Sequence, residues 1–272
     1  CVHVRLDFPL DRPGGPGAFR AFLEAAADLV VGFGGSLSGE HGDGRARSEL
    51  LPRMYSPAAL GLFRSVKTAF DPAGLLNPGV LVDPDPVDAA LRVPAARPVR
   101  QQLALAYADD GGSFAQAVHR CTGVGKCRAD TTASGGVMCP SWLATREEKD
   151  STRGRARVLQ EMVGGDPADG LVDGWRSPAV HEALDLCLSC KGCASDCPTG
   201  VDMAAYKTEV LHQSYRRRLR PRSHYTLGWL PRWSRLATRV PRLANAAIRL
   251  PGVRRLALFA AGVDPRRSVP AF

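Results

Sequence analysis

Four cysteines within eleven residues constrain this chain more than anything else in it: Cys187-Leu-Ser-Cys190-Lys-Gly-Cys193-Ala-Ser-Asp-Cys197-Pro198. The spacing is C-x2-C-x2-C-x3-C-P, in which three thiolates curl round one face of an iron–sulfur cubane. The fourth, just before proline, points away and in two-cluster proteins ligates the other cluster. Zinc is the main rival, with Cys187/Cys190 and Cys193/Cys197 as two knuckles. Knuckles rarely sit so close together, and the trailing Cys-Pro has no role in them. Disulfides among four such neighbours would be strained. A second group precedes the first: Cys121-Thr-Gly-Val-Gly-Lys-Cys127, then Cys139-Pro-Ser-Trp142, ending in Cys-Pro again.

At 272 residues the chain has room for two domains. No apolar run is long enough to span a bilayer, and no signal-peptide pattern opens the chain. Cysteines at metal-ligand spacings imply a reducing, cytoplasmic setting. The net charge of +9 misleads, because residues 215–272 hold fourteen arginines, no lysine and one acid, Asp264. The rest of the chain is net negative, so the overall charge gives no ground for a nucleic-acid partner. The chain opens on Cys inside a strand-like pattern and reads as an internal piece of a longer polypeptide.

Residues 2–8 alternate, with Val2, Val4, Leu6 and Phe8 on one face and His3, Arg5 and Asp7 on the other, which predicts a strand. Its polar face either meets water or carries function. A Pro/Gly-rich turn follows, then a helix over 18–31 with Phe19, Phe22, Leu23, Ala26 and Val30 on one side. Gly32-Phe-Gly34-Gly35 stops it. In Gly39-Glu40-His41-Gly42-Asp43-Gly44 small residues flank a Glu and a His. Such a loop can offer a metal ligand and a base, or be a flexible surface loop. Ser56-Pro57 starts a helix that runs to about Phe70, and Asp71-Pro72-Ala-Gly74 ends it.

Together these residues resemble a family. His3 in a strand, Ser38-Gly-Glu-His-Gly-Asp-Gly44 after a helix, and Phe70-Asp-Pro-Ala-Gly-Leu-Leu-Asn-Pro-Gly79 are similar to the C-terminal end of FAD-linked oxidases of the vanillyl-alcohol-oxidase superfamily. The nearest members are D-lactate, glycolate and D-2-hydroxyglutarate dehydrogenases. The resemblance implies an α+β C-terminal piece over residues 1–83. It places Gly39, Glu40, His41 and Asn77 beside the flavin, with His41 as the proton acceptor. His3 and Glu40 fall on positions that bind a divalent metal, zinc in some members. Cys1 and Arg5 stand where the family often has Asn.

Residues 84–112 are Pro-, Ala- and Arg-rich and read as a linker. Helices are expected from about Ser151 to Gly164, from Ser177-Pro178 to Cys187, and from Asp202 to about Leu219. Helices without strands between cysteine groups mean an all-α helical ferredoxin domain over 113–215. That pattern resembles the ferredoxin part of single-chain FAD/iron–sulfur dehydrogenases, where it directly follows the flavin part. The basic segment 216–272 is a solvated or partner-facing helical tail. Its alternative is an interfacial segment on anionic lipid, on the inner face of the membrane. In the family it leads to a further cysteine-rich domain.

The crossed rule assigns Cys187, Cys190, Cys193 and Cys139 to one [4Fe–4S] cluster, and Cys121, Cys127 and Cys197 to a second. The middle position of the second set is Val124, and valine cannot ligate iron. The Cys121-x5-Cys127 spacing resembles the [3Fe–4S] site of succinate dehydrogenase iron–sulfur subunits. The second cluster is therefore [3Fe–4S], or [4Fe–4S] with a non-cysteine ligand, or absent. The resemblances imply a full-length FAD-linked D-2-hydroxy-acid dehydrogenase, of which this piece alone is inactive. A small 2-hydroxy acid is its substrate, and a quinone or electron carrier takes its electrons. The rival is an electron-transfer subunit of a succinate- or glycerol-3-phosphate-dehydrogenase-like complex, and a third reading is a zinc-binding interaction module.

Overall fold

A computed structural model describes residues 6–96, 99, 102–164, 174–269 and 271. The chain divides into two compact units, Cys1–Lys207 and Thr208–Phe272. Among the described residues every regular element is helical. The strand expected over 2–8 falls mostly outside them, and Leu6–Phe8 is not a strand. A strand exists only through a ladder with a second extended segment, and among the described residues none pairs with Leu6–Phe8. The α+β expectation for residues 1–83 is corrected accordingly.

In the first unit α1 is Gly15–Gly32. Its Gly15 backbone packs against Pro9, where an added Cβ would lie 2.0 Å from the Pro9 carbonyl oxygen. Ala27 of α1 joins Leu50 and Val87 in a small core, with Leu23 and Leu37 packed against it. The sequence pattern put Ala26 and Val30 on the buried side, but Val30 is exposed. Phe8 sits edge-on to Phe19 at 5.3 Å. Helix α2 is Pro57–Phe70; its N-cap Ser56 Oγ accepts from the Ala59 amide, and it buries none of its residues.

The cysteine-bearing part is built from short helices. These are α3 (Phe114–His119), α4 (Pro140–Thr145), α5 (Thr152–Gly164), α6 (Pro178–Asp185), α7 (Gly192–Asp196) and the start of α8 (Met203–Ser214). Helix α5 packs against α3 and α6. Its buried face combines Ala156, Leu159 and Val163 with the polar Thr152, Arg155 and Gln160. Phe114 is fully buried, with Tyr107 at 5.7 Å, Trp175 at 5.0 Å and Tyr206 at 6.0 Å between ring centres. Tyr206 Oη donates to the Ala117 carbonyl at 2.5 Å and Tyr107 Oη to that of Ala205 at 3.2 Å. The segment 84–112 is thus tied at both ends, Val87 at one and Tyr107 at the other.

Helix α8 stops at Ser214, short of the expected Leu219. The backbone turns left-handed at Arg217, and Pro221 cannot continue a helix. In the second unit follow α9 (Arg222–Thr226), α10 (Leu230–Ala237), α11 (Pro241–Arg249) and α12 (Pro251–Ala261). The repeated prolines of the tail sit in the first turn of α10, α11 and α12, the one place where a missing N–H costs nothing. Trp229, Trp233, Leu243 and Leu256 are exposed, while the Arg222 guanidinium lies 4.1 Å over Phe259. No helix among the described residues is long and apolar enough to cross a membrane.

Candidate functional site

The loop Cys187–Cys193 is bent twice. Ser189 (φ 54°) and Lys191 (φ 61°) both adopt left-handed backbone, which non-glycine residues do only where surrounding contacts impose it. The bends bring Cys187, Cys190 and Cys193 onto one small cavity, which Cys139, Arg155, Thr152 and Met203 also line. Gly192 makes the approach possible, since an added Cβ would meet the Val137 carbonyl oxygen at 3.1 Å. Cys139 and Cys193 are buried, Cys187 half-buried and Cys190 exposed.

Donors converge on these sulfurs. Arg155 Nη1 is 3.5 Å and Thr152 Oγ1 3.6 Å from Cys139 Sγ. The Met203 amide donates to Cys193 Sγ at 3.3 Å. Burial pushes the Cys193 thiol up, against that amide. Lys207 Nζ donates to the carbonyls of Cys187 at 2.7 Å and Asp185 at 3.2 Å, holding the end of α6 where the cysteine loop begins. Burial lowers the pKa of that lysine.

Asp196 joins the two cysteine groups. Its carboxylate accepts from the amides of Val137 at 2.8 Å and Met138 at 3.1 Å, beside Cys139. The Val137 amide, Ser195 and the Met138 amide hold it below the usual carboxylate range, with Lys126 adding its charge. Cys127 is buried, and its Sγ accepts from the Arg153 amide at 3.3 Å. Burial raises its pKa. Burial acts upward on Cys197 as well, but the Thr199 hydroxyl and the amides of Val201, Thr199 and Gly200 outweigh it and lower that thiol. Cys121 opens onto a different cavity, with Gly123, Arg153 and Val158. Arg120 Nη1 lies 3.0 Å from where a Cβ on Gly200 would be, so the segments before Cys121 and after Cys197 are neighbours.

The four thiols round one cavity, two of them already receiving donors, suit a bridged iron–sulfur cluster. Among the described residues no three His, Cys, Asp or Glu converge as ligands of a single metal ion would.

The flavin-side residues are placed differently. Glu40 and His41 stand on an open loop, their side chains 55% and 63% exposed, paired to each other at 3.1 Å. Gly39 has φ 61° and Asn77 φ 51°. Arg45 Nη1 reaches Asp85 at 2.6 Å, and the Leu81 amide donates to Ser48 Oγ at 2.9 Å, fastening this loop to the chain after Asn77. His3, with Cys1 and Arg5, lies outside the described residues. Arg155 was not singled out by the sequence pattern. It alternates with Arg153 and Arg157 in sequence, and of the three only Arg155 is buried.

Comparison with known proteins bears on both halves. Residues 1–81 match the model of the FAD linked oxidases, C-terminal domain, and residues 117–201 match that of the 4Fe-4S dicluster domain. A D-2-hydroxyglutarate dehydrogenase of Pseudomonas putida is 31% identical over 91% of this chain and 27% of its own length. That of Escherichia coli is 28% identical over 99% of this chain and 29% of its own. The glycolate oxidase subunit GlcD of Escherichia coli is 37% identical over 29% of this chain and 16% of its own. The chain thus spans under a third of the length of the dehydrogenases it matches. No solved structure matches it. Two domain matches in this order, and relatives that run through both, identify the chain as one carrying a FAD-linked oxidase C-terminal domain followed by a 4Fe-4S dicluster domain.

Proposed function

We propose that this chain is part of an FAD- and iron–sulfur-dependent D-2-hydroxy-acid dehydrogenase, with D-2-hydroxyglutarate, D-lactate or glycolate as substrate. The observation that carries the reading is the cavity lined by Cys139, Cys187, Cys190 and Cys193, in a chain that also matches the C-terminal domain of FAD-linked oxidases. Those four thiolates would hold a [4Fe–4S] cluster, with Cys121, Cys127 and Cys197 serving a second. Bound clusters would supply one-electron carriers between a two-electron flavin and a quinone or carrier protein.

His41 is the proposed acceptor of the substrate hydroxyl proton, and Glu40, with His3, a proposed ligand of a divalent metal such as zinc. Gly39, Glu40, His41 and Asn77 would stand beside the flavin. A pure electron-transfer subunit has no use for residues 1–81.

The test uses the full-length protein under anaerobic conditions. Each of the three hydroxy acids is added and bleaching of the visible iron–sulfur absorption is followed. At least one should bleach it, and His41→Ala should slow that bleaching about 10²–10⁴-fold with FAD still bound. No bleaching by any of the three, with dithionite still reducing the clusters, would reject the dehydrogenase reading.

A further inference from the structure

Arg155 is 1% exposed, and a buried guanidinium is costly unless every donor is matched. Its neighbours on α5 have carboxylates: Arg153 Nε meets Glu148 at 2.8 Å and Arg157 Nε meets Glu161 at 2.7 Å. Arg155 has no carboxylate within hydrogen-bond distance, only the Asp150 ion pair at 3.8 Å. Its Nε donates to the Ala183 carbonyl at 2.8 Å, its Nη2 to Ser141 Oγ at 2.9 Å, and its Nη1 to Cys139 Sγ at 3.5 Å. Asp150, also buried, stays 3.8 Å away, and its Oδ1 has no hydrogen-bond partner. The guanidinium is thus hydrogen-bonded to one carbonyl and one hydroxyl, with the Asp150 carboxylate at ion-pair distance, while its remaining nitrogen faces a sulfur.

A neutral thiol is a weak acceptor for such a group, and a thiolate is a strong one. As a thiol, Cys139 can give its proton to the Asp150 carbonyl oxygen, 3.4 Å away. That carbonyl has a second donor in Ser141 Oγ at 3.1 Å, so it keeps a partner when Sγ carries no proton. Thr152 Oγ1 also points at Sγ. The surroundings of Cys139 therefore match a negatively charged sulfur.

We propose that Arg155 is a positioning residue for the cluster held by Cys139, Cys187, Cys190 and Cys193, and that its hydrogen bond to Cys139 Sγ raises that cluster's reduction potential. The inference rests on the ligand set proposed above. On reduction the cluster gains one electron, no bond forms or breaks, and no proton moves. The added negative charge spreads onto the thiolate sulfurs. A charged donor on one of them, out of water, stabilises the reduced form more than the oxidised one.

The test is potentiometric titration of the full-length protein, followed by visible absorption and electron paramagnetic resonance, with iron content measured on each sample. Arg155→Gln and Arg155→Met should make one cluster harder to reduce. At the wild-type midpoint its reduced-to-oxidised ratio should fall about tenfold, equivalent to about 59 mV for one electron. The other cluster should be unchanged, and Arg155→Lys should recover part of the shift. If Arg155→Gln does not assemble, Thr152→Val removes the weaker donor and should move the same cluster in the same direction by less. Wild-type iron content with unmoved potentials and only a lowered Tm would overturn the proposal, leaving Arg155 as a clamp on α6 through Ala183. Should Arg155→Gln not assemble, an unmoved potential in Thr152→Val at wild-type iron content would overturn it too. A wild-type protein with no iron–sulfur chromophore would instead reject the ligand set.

Discussion

Asp71 shows how much one side chain fixes in the turn after α2. Its carboxylate takes the Lys67 ammonium and the amides of Leu75 at 2.9 Å and Leu76 at 2.8 Å. Lys67, then the Leu76 and Leu75 amides, bring it down to about 2. The folded form therefore holds this proton more weakly than the unfolded chain. Its contribution is complete above the ordinary carboxylate range and is lost as pH falls through about 2. Amide exchange at Leu75 and Leu76 should accelerate selectively on acidification from pH 5 to pH 2, beyond the intrinsic pH dependence. Asp71→Asn should show that faster exchange already at neutral pH. Equal protection in the variant and the native chain would show that the turn holds without this carboxylate.

Among the elements, α5 shows what sequence does and does not reveal. Gly154 in its first turn looks like a defect, since glycine costs a helix interior about 1 kcal/mol against alanine. In the structure a Cβ there would lie 2.1 Å from the Glu148 carbonyl oxygen, so the turn before α5 can close only over glycine. Gly154→Ala should cost about 2–3 kcal/mol through overpacking and lower Tm by several degrees. Gly164→Ala, with open space around it, should leave Tm within error; similar losses in both would refute the close-approach account. Local signals were legible: Ser56-Pro57 at the start of α2 and Asp202 before α8. Burial was not, because which of Arg153, Arg155 and Arg157 turns inward depends on α3 and α6, distant in sequence. At Leu6–Phe8 the expected alternation had a clear period, but period alone supplies no pairing partner. The crossed rule put Cys139 with a loop about fifty residues on, and the cavity brings the two together; the packing that does so is not written in any local spacing.

At the scale of the whole molecule the two cysteine groups should not behave alike. The dicluster domain match leads one to expect two four-iron clusters, but among the described residues this chain offers the second site only Cys121, Cys127 and Cys197. Its middle position is Val124, 66% exposed between Gly123 and Gly125, both left-handed. In the other motif the middle residue is Cys190, and it too is exposed. Both loops thus present their middle residue at the rim, and only one of them presents a thiol. An anaerobically purified, oxidised full-length protein, corrected for any iron bound outside this segment, should hold about seven irons here. It should show the paramagnetic signal of an oxidised three-iron cluster. Eight irons with no signal would sink the three-iron assignment and require a non-cysteine fourth ligand. Four irons would remove the second cluster altogether. Val124→Cys puts a thiol where Cys190 stands in the other loop, and should raise the count to about eight while abolishing the signal.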